Sequence, residues 1–306
     1  MSRHFVTIDQ LSPYDLDSIY DLARAPFDDE TLKGQGVALV FERPSLRTRA
    51  SCSTAVHELG GFATFFSDDE IGLDSRECAE DVARTLAEMY SIAALRVRNH
   101  SVFDRMIAAT NGGLSLVNLL SNVAHPTQAI ADVLTLADRF ANGDVHDLAG
   151  LDVAYVGDAT NVTRSLAVAL LRLGINVTIG APDGYQFVAG GPEDPGLIEG
   201  PGTLRLTDSA SDAVKGADVI YTDAWVSMGV EDETALRRRE LSPFRVDATL
   251  MKLAKKKAVV LHCLPAHRGD EITNDVLDSQ RSLVWRQVFH RRSAMIGVLR
   301  WIKEEK

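Results

Sequence analysis

Short apolar runs of strand length alternate along the chain with stretches in which apolar residues recur every three or four positions. This alternation predicts a parallel α/β architecture. Val37-Ala38-Leu39-Val40-Phe41 reads as a buried strand that stops at Glu42-Arg43-Pro44. The residue before a proline resists helix and Ser45 is a good N-cap, so a helix is expected to open there. Ile92–Val97 and Leu114–Leu119 are further strands, and Gln128–Phe140 is a helix with Ile130, Val133, Leu134 and Leu136 on its apolar side. The Asn142-Gly143-Asp144 turn reads as the link between two domains. After it the pattern restarts as a βαβ unit: strand Leu151–Val156, helix Thr163–Leu173, Gly174 as a left-handed C-terminal cap, strand Ile175–Ile179. Val219–Thr222 and Ala258–Leu261 are later strands, and the Gly- and Pro-rich stretch Gly184–Gly202 is a surface loop. An amphipathic helix over about Arg292–Lys303, with Ile296, Leu299, Trp301 and Ile302 apolar, closes the pattern.

The chain has 306 residues, a length that fits two domains with full cores. Its 32 Lys and Arg against 43 Asp and Glu give a net charge of −11, which argues against nucleic acid or an anionic membrane surface as a partner. The longest apolar-leaning stretch, Ser165–Leu173, is short and contains Arg172, so no membrane span is expected. Met1-Ser2-Arg3-His4-Phe5 lacks the apolar core of a signal peptide. Cys52, Cys78 and Cys263 provide neither a disulfide framework nor the close pairing of a zinc site, and a reducing cytoplasm fits them.

Five segments carry candidate chemistry. Ser45-Leu46-Arg47-Thr48-Arg49 opens a helix after a strand, and helix N-termini bind phosphate through unpaired N–H groups and a positive dipole. Arg47 adds a planar fork, and Ser45 and Thr48 add hydroxyls. His125-Pro126-Thr127-Gln128 begins the next helix, with His125 and Gln128 on one face, suited to a small carbonyl or carboxamide. Gly157-Asp158-Ala159-Thr160-Asn161-Val162 lacks the G-x-G-x-x-G spacing of dinucleotide binding, but Asn161 suits a carboxylate or amide. In Asp223-Ala224-Trp225-Val226-Ser227-Met228-Gly229, Asp223 suits an ammonium. In His262-Cys263-Leu264-Pro265, neighbouring strand residues point to opposite faces, so His262 is badly placed to activate Cys263, and a ligand-lining thiol is the better reading. Each segment alone is equally an ordinary cap or loop. Together, four of the five lie at C-terminal ends of predicted strands, the edge where open α/β sheets hold ligands. Arg96 closes its strand at the same edge. Arg47, Arg49, Arg96 and His125 then form a positive site in an acidic chain, which points to a small anion.

In this combination and order, over roughly His4 to Trp301, the sequence resembles the aspartate/ornithine carbamoyltransferase family. Ser45-x-Arg47-Thr48-Arg49 and His125-Pro126-x-Gln128 carry the superfamily resemblance. Asp223-x-Trp225-x-Ser227-Met228-Gly229 and His262-Cys263-Leu264-Pro265 carry that to the ornithine branch. The resemblance implies two α/β domains, each a mostly parallel sheet flanked by helices, with the last helix crossing back to the first domain. It implies carbamoyl phosphate binding over 1–142 and ornithine binding over 143–306. It also implies a homotrimer or assembly of trimers, with no metal or organic cofactor, and direct carbamoyl transfer to the side-chain amine of L-ornithine, giving L-citrulline and phosphate. By the same resemblance Ser45, Leu46 (through its backbone N–H), Arg47 and Thr48 hold the phosphate. Arg96, His125, Gln128 and Arg291 contact the same ligand. Asn161, Asp223, Ser227 and Met228 contact ornithine, and Cys263 and Leu264 line the reacting centre. Arg47, Arg96, His125 and Cys263 are the catalytic set.

Several positions depart from the family pattern. Ala50-Ser51-Cys52-Ser53 stands where Val-Ser-Phe-Glu is usual, Gly72 where a Gln or His is usual, and Thr160 for a common Asn. Gln287-Val288-Phe289-His290-Arg291 replaces Glu-Ala-Glu-Asn-Arg. The changes gather on the carbamoyl phosphate side. They leave two further readings open: a paralogue acting on another amine, and a catalytically weak amino-acid-binding homologue. The missing glycine fingerprint makes an oxidoreductase the weakest reading.

Overall fold

The computed structural model describes residues 2–26, 30–191, 193–197, 200–226 and 233–304. The elements run α1 (Pro13–Arg24), β1 (Gly36–Phe41), α2 (Leu46–Glu58), β2 (Phe62–Ser67), α3 (Asp68–Ile71), α4 (Ala79–Ala87), β3 (Ile92–Arg96), α5 (Ser101–Thr110), β4 (Ser115–Leu120) and α6 (Pro126–Phe140). They continue through β5 (Asp152–Val156), α7 (Asn161–Arg172), β6 (Asn176–Gly180), β7 (Leu204–Thr207), α8 (Ala210–Val214), β8 (Val219–Thr222) and α9 (Thr234–Leu241). The last are α10 (Ala248–Met251), β9 (Val259–His262), α11 (Asn274–Leu277) and α12 (Val284–Lys303). Two compact units result: Met1–Ala131 with Phe289–Lys306, and Asp132–Val288.

In the first unit four strands pair in the order β2-β1-β3-β4, all parallel. Val37 to Phe41 are all buried, as a parallel strand covered on both faces requires. Ala38, Val40, Ala93 and Leu95, alternate residues of β1 and β3, pack on Val82 and Leu86 of α4 and Phe103 and Met106 of α5. The last turns of α12 belong to this unit. Trp301 donates its indole N–H to Asp15 (3.0 Å), and the Arg300 guanidinium donates to the carbonyls of Leu22, Ala25 and Pro26, satisfying the C-terminal end of α1. Gly297 permits the approach: a Cβ there would lie 2.4 Å from the Ile19 carbonyl oxygen and 2.8 Å from Ala23 Cβ.

The second unit is a five-stranded parallel sheet in the order β7-β6-β5-β8-β9. Ala154, Val156, Ile220 and Val260 face Ala213 and Val214 of α8 and Leu250 of α10. Gly174 takes φ +73, the left-handed cap expected of it.

Strand order locates the candidate sites. In the first sheet the chain moves outward from β1 to β2, then returns to the other side of β1 as β3. In the second it runs β5, β6, β7 in one direction and returns beside β5 as β8. These reversals, between β1 and β3 and between β5 and β8, are the switch points where connections leave in opposite directions and open a crevice at the strands' C-terminal ends. Ser45 and Arg96 flank the first, Asn161 and Asp223 the second.

The two strands that the apolar pattern passes over, β2 and β7, are both edge strands, only partly buried, and lack the continuous apolar run of the central ones. The last helix begins at Val284 rather than near Arg292. Its first turns carry the buried polar residues Gln287, His290 and Arg291, which interrupt the apolar period.

Candidate active site

At the first switch point the β1–α2 turn is built as its sequence dictates. Ser45, extended, caps α2: its Oγ accepts the Thr48 backbone N–H at 3.4 Å, and its hydroxyl donates to Thr48 Oγ1 at 3.0 Å. Leu46 is 81% exposed, so this position offers the site a backbone N–H and no side-chain group. Parallel register sets Arg96 opposite Phe41, bringing a second, buried guanidinium to the same edge.

Arg291 joins these parts. Its guanidinium donates to Gln128 Oε1 (2.5 Å), to His125 Nε2 (3.0 Å) and to Thr48 Oγ1 (3.1 Å), all buried. A guanidinium only donates, so His125 Nε2 accepts and the imidazole carries its proton on Nδ1. Burial first, then the charges of Arg291, Arg96 and Arg47, hold the His125 pKa well below its ordinary value. His125 is therefore a neutral hydrogen-bonding group, and these three arginines form the positive site. Arg49, expected in the same cluster, lies over the Phe65 ring, 3.7 Å from its centroid, a cation–π pair on the edge strand.

Two departures from the family pattern acquire a setting. Cys52 sits one turn after Thr48 and is 2% exposed. Burial pushes its thiol up to about 12 although Arg291 opposes this, so it is a small apolar group rather than a nucleophile. Gly72 ends α3 at φ +57, and a Cβ there would meet Arg76 Cβ at 2.7 Å. The following turn is held by Arg105, which forks onto Asp74 (2.7 and 2.8 Å) and onto Glu80 (2.8 and 2.5 Å).

At the second switch point Thr160 caps α7 with a full capping box, and Asn161 opens the helix. Asp223 follows β8. Its Oδ1 accepts the Ala224 N–H at 2.8 Å and the Cys263 thiol at 2.9 Å. His262 does not activate Cys263. Its Nδ1 accepts the Leu264 N–H (2.8 Å), so its Nε2–H faces Glu271 Oε1 (3.1 Å), with both side chains fully buried. This holds Leu264 at φ +60, in the left-handed region. The His262 N–H donates to Gln287 Oε1 (2.9 Å), and Gln287 Nε2 donates to Asp132 Oδ1 (2.8 Å). Asp223, His262 and Cys263 each bring one ligand atom within 4.8 Å of the others, but both His262 nitrogens are already committed. Ser227 and Met228 lie outside the described residues.

Reading the residues missed the supporting carboxylates and amides, Glu271, Gln287 and Asp132. A signal existed for one: Asp132 interrupts the apolar stripe of α6, and such a residue is tolerated only with partners.

The chain belongs to the aspartate/ornithine carbamoyltransferase family: that family's carbamoyl-P binding domain matches residues 3–138 and its Asp/Orn binding domain residues 149–302. The ornithine carbamoyltransferase of Thermus thermophilus is 39% identical over 94% of this chain and 92% of its own length. That of Acidothermus cellulolyticus is 40% identical over 98% and 97%. Among solved structures, the ornithine carbamoyltransferase of Pyrococcus furiosus superposes with a TM-score of 0.89 at 34% identity, covering 97% of this chain and 96% of that one.

Proposed function

We propose that this protein transfers the carbamoyl group of carbamoyl phosphate to the side-chain amine of L-ornithine, giving L-citrulline and phosphate. The carrying observation is Arg291: one guanidinium joined to Thr48 and to the His125–Gln128 pair, segments far apart in sequence that the family pattern assigns to one ligand. In this reading residues 1–142 bind carbamoyl phosphate and 143–306 bind ornithine, the last helix returning to the first domain.

The amide N–H groups opening α2, with Ser45, Arg47 and Thr48, hold the phosphate and stabilise it as it leaves. Arg96 and neutral His125 donate to the carbamoyl oxygen as charge develops there, and Gln128 orients the carbamoyl amide. Asp223 holds the α-ammonium of ornithine. Asn161, Ser227 and Met228 complete its contacts, while Cys263 and Leu264 line the reacting centre. The neutral amine attacks the carbamoyl carbon, the C–N bond forms, the C–O bond to phosphate breaks, and the departing phosphate takes up the proton lost by the attacking nitrogen. Holding two small substrates in line supplies much of the acceleration. No residue in this scheme calls for a metal or organic cofactor.

We further propose a cytoplasmic homotrimer or assembly of trimers. Cys52, Cys78 and Cys263 are free thiols, and among the described residues no helix is long and apolar enough to cross a membrane.

The test is citrulline formation from carbamoyl phosphate and L-ornithine by the purified protein, with Arg47→Ala as control. Turnover that the substitution abolishes supports the reading, and a folded protein without turnover overturns it.

A further inference from the structure

Beside the proposed ornithine contacts sits an arginine that the family reading does not use. Arg237, in the first turn of α9, has a side chain only 14% exposed. Its Nη1 donates to Asp158 Oδ2 at 2.5 Å and to the Trp225 carbonyl at 3.2 Å, and its Nε donates to Glu233 Oε2 at 2.8 Å. The guanidinium lies 5.3 Å from the Tyr185 ring centroid. Tyr185 in turn donates its hydroxyl to Glu240 of α9 (2.8 Å) and accepts the Ala159 N–H on its backbone carbonyl (2.9 Å). The two chain segments that Arg237 joins are the two sides of the second switch point. Asp158 and Ala159 belong to the turn that leads into Asn161, and Trp225 is two residues beyond Asp223. Trp225 is itself buried against Gly157, where an added Cβ would lie 3.4 Å from the indole nitrogen.

The charge arrangement gives this joint a further consequence. Asp158 and Asp223 are close enough for Asp223 to disfavour the ionised form of Asp158, as does Glu233. Burial disfavours it most, and Arg237 opposes all three. The two acids at this switch point have different partners: Asp158 is ion-paired with Arg237, which also holds Glu233, while Asp223 accepts from the Cys263 thiol and the Ala224 N–H.

We propose that Arg237 is a positioning residue for amino-acid binding: it locks the turn carrying Asn161 to the segment carrying Asp223, and neutralises Asp158 so that Asp223 is the carboxylate presented to the substrate ammonium. This rests on the ornithine reading above, and the test separates the two.

Steady-state kinetics of citrulline formation would be measured for wild type, Arg237→Gln, Arg237→Lys, Asp158→Asn and the Arg237→Gln/Asp158→Asn pair, varying each substrate in turn. Arg237→Gln is expected to raise KM for ornithine by about tenfold, the scale of one lost charge-assisted hydrogen bond. KM for carbamoyl phosphate should stay within about twofold. Arg237→Lys, which keeps the charge, should recover part of the loss. The double variant should be no worse than the poorer single one, because both act through one pair. An unchanged ornithine KM, or equal rises in both KM values, overturns the proposal, the latter by pointing to general loosening. If Arg237→Gln does not fold, Arg237→Lys and Asp158→Asn carry the same split, and a carbamoyl phosphate effect in them overturns it equally. A wild type without turnover overturns the ornithine reading and this proposal together, whereas turnover with an unmoved ornithine KM overturns only the latter.

Discussion

Arg291 and His125 define each other's chemistry. The arginine can reach Thr48, His125 and Gln128 at once only because its donors are arranged in a rigid fork. Lysine cannot reproduce that, so Arg291→Lys is expected to lower kcat/KM for carbamoyl phosphate nearly as far as Arg291→Gln, both by about 100-fold or more. Citrulline assays at varied carbamoyl phosphate check this, and recovery by lysine would contradict it. The thiols separate as sharply. Cys52 is buried with its pKa pushed up to about 12, whereas Cys78 is exposed at the start of α4. Alkylation of the native protein followed by peptide mass spectrometry should find Cys78 modified and Cys52 untouched until the protein is unfolded. Modification of native Cys52 would show that the pocket beside Arg291 opens.

At the level of elements, the contact of α12 with α1 depends on one missing side chain. Gly297 lies where any Cβ would overlap the Ile19 carbonyl and Ala23, and backbone cannot yield as a flexible side chain does. Gly297→Ala is expected to cost about 1–3 kcal/mol, the usual penalty for overpacking, despite alanine's better helix propensity. A lowered urea midpoint at unchanged slope would register it, and a stabilised variant would rule it out. The same scale separates what was legible in the chain from what was not. Central strands such as β1 and β5 are continuous apolar runs because both faces are covered, and they read directly. Edge strands β2 and β7 bury less and did not. The front of α12 was hidden because Gln287, His290 and Arg291 are buried polar residues, and the partners of Gln287 and Arg291 lie far along the chain.

Across the whole molecule, imidazoles whose pKa burial lowers couple stability to pH. His125 is held well below its ordinary pKa by burial and three arginines, and His4 is lowered by burial. Both take up a proton more readily unfolded than folded. The unfolded state therefore binds more protons once the pH drops below their ordinary value of about 6.5, and stability falls from there toward the depressed native pKa values. Thermal midpoints between pH 7.5 and 5.5 should decline, and less steeply in His125→Gln. An equal slope in that variant would remove His125 from the account. The proposed trimer belongs to this scale too: light scattering in solution should return three chain masses of 33.4 kDa, or a multiple of that, and a monomer would exclude it.

The order of apolar runs, the capping residues and the chemistry at strand ends are local, and the sequence by itself determined them: parallel α/β units, a capped helix-opening turn at Ser45, and candidate groups on one edge of each sheet. Sequence similarity could point to Arg291 but not to what it touches. That Arg291 meets Thr48, His125 and Gln128, that the Leu264 N–H and Glu271 occupy the two His262 nitrogens, that Arg49 lies on Phe65, and that Arg237 bridges Asp158 and Trp225 were decided by tertiary structure. Most of these contacts join residues well separated in the chain, and hydrogen bonds and burial are satisfied in space, leaving no period or spacing in the sequence to announce them.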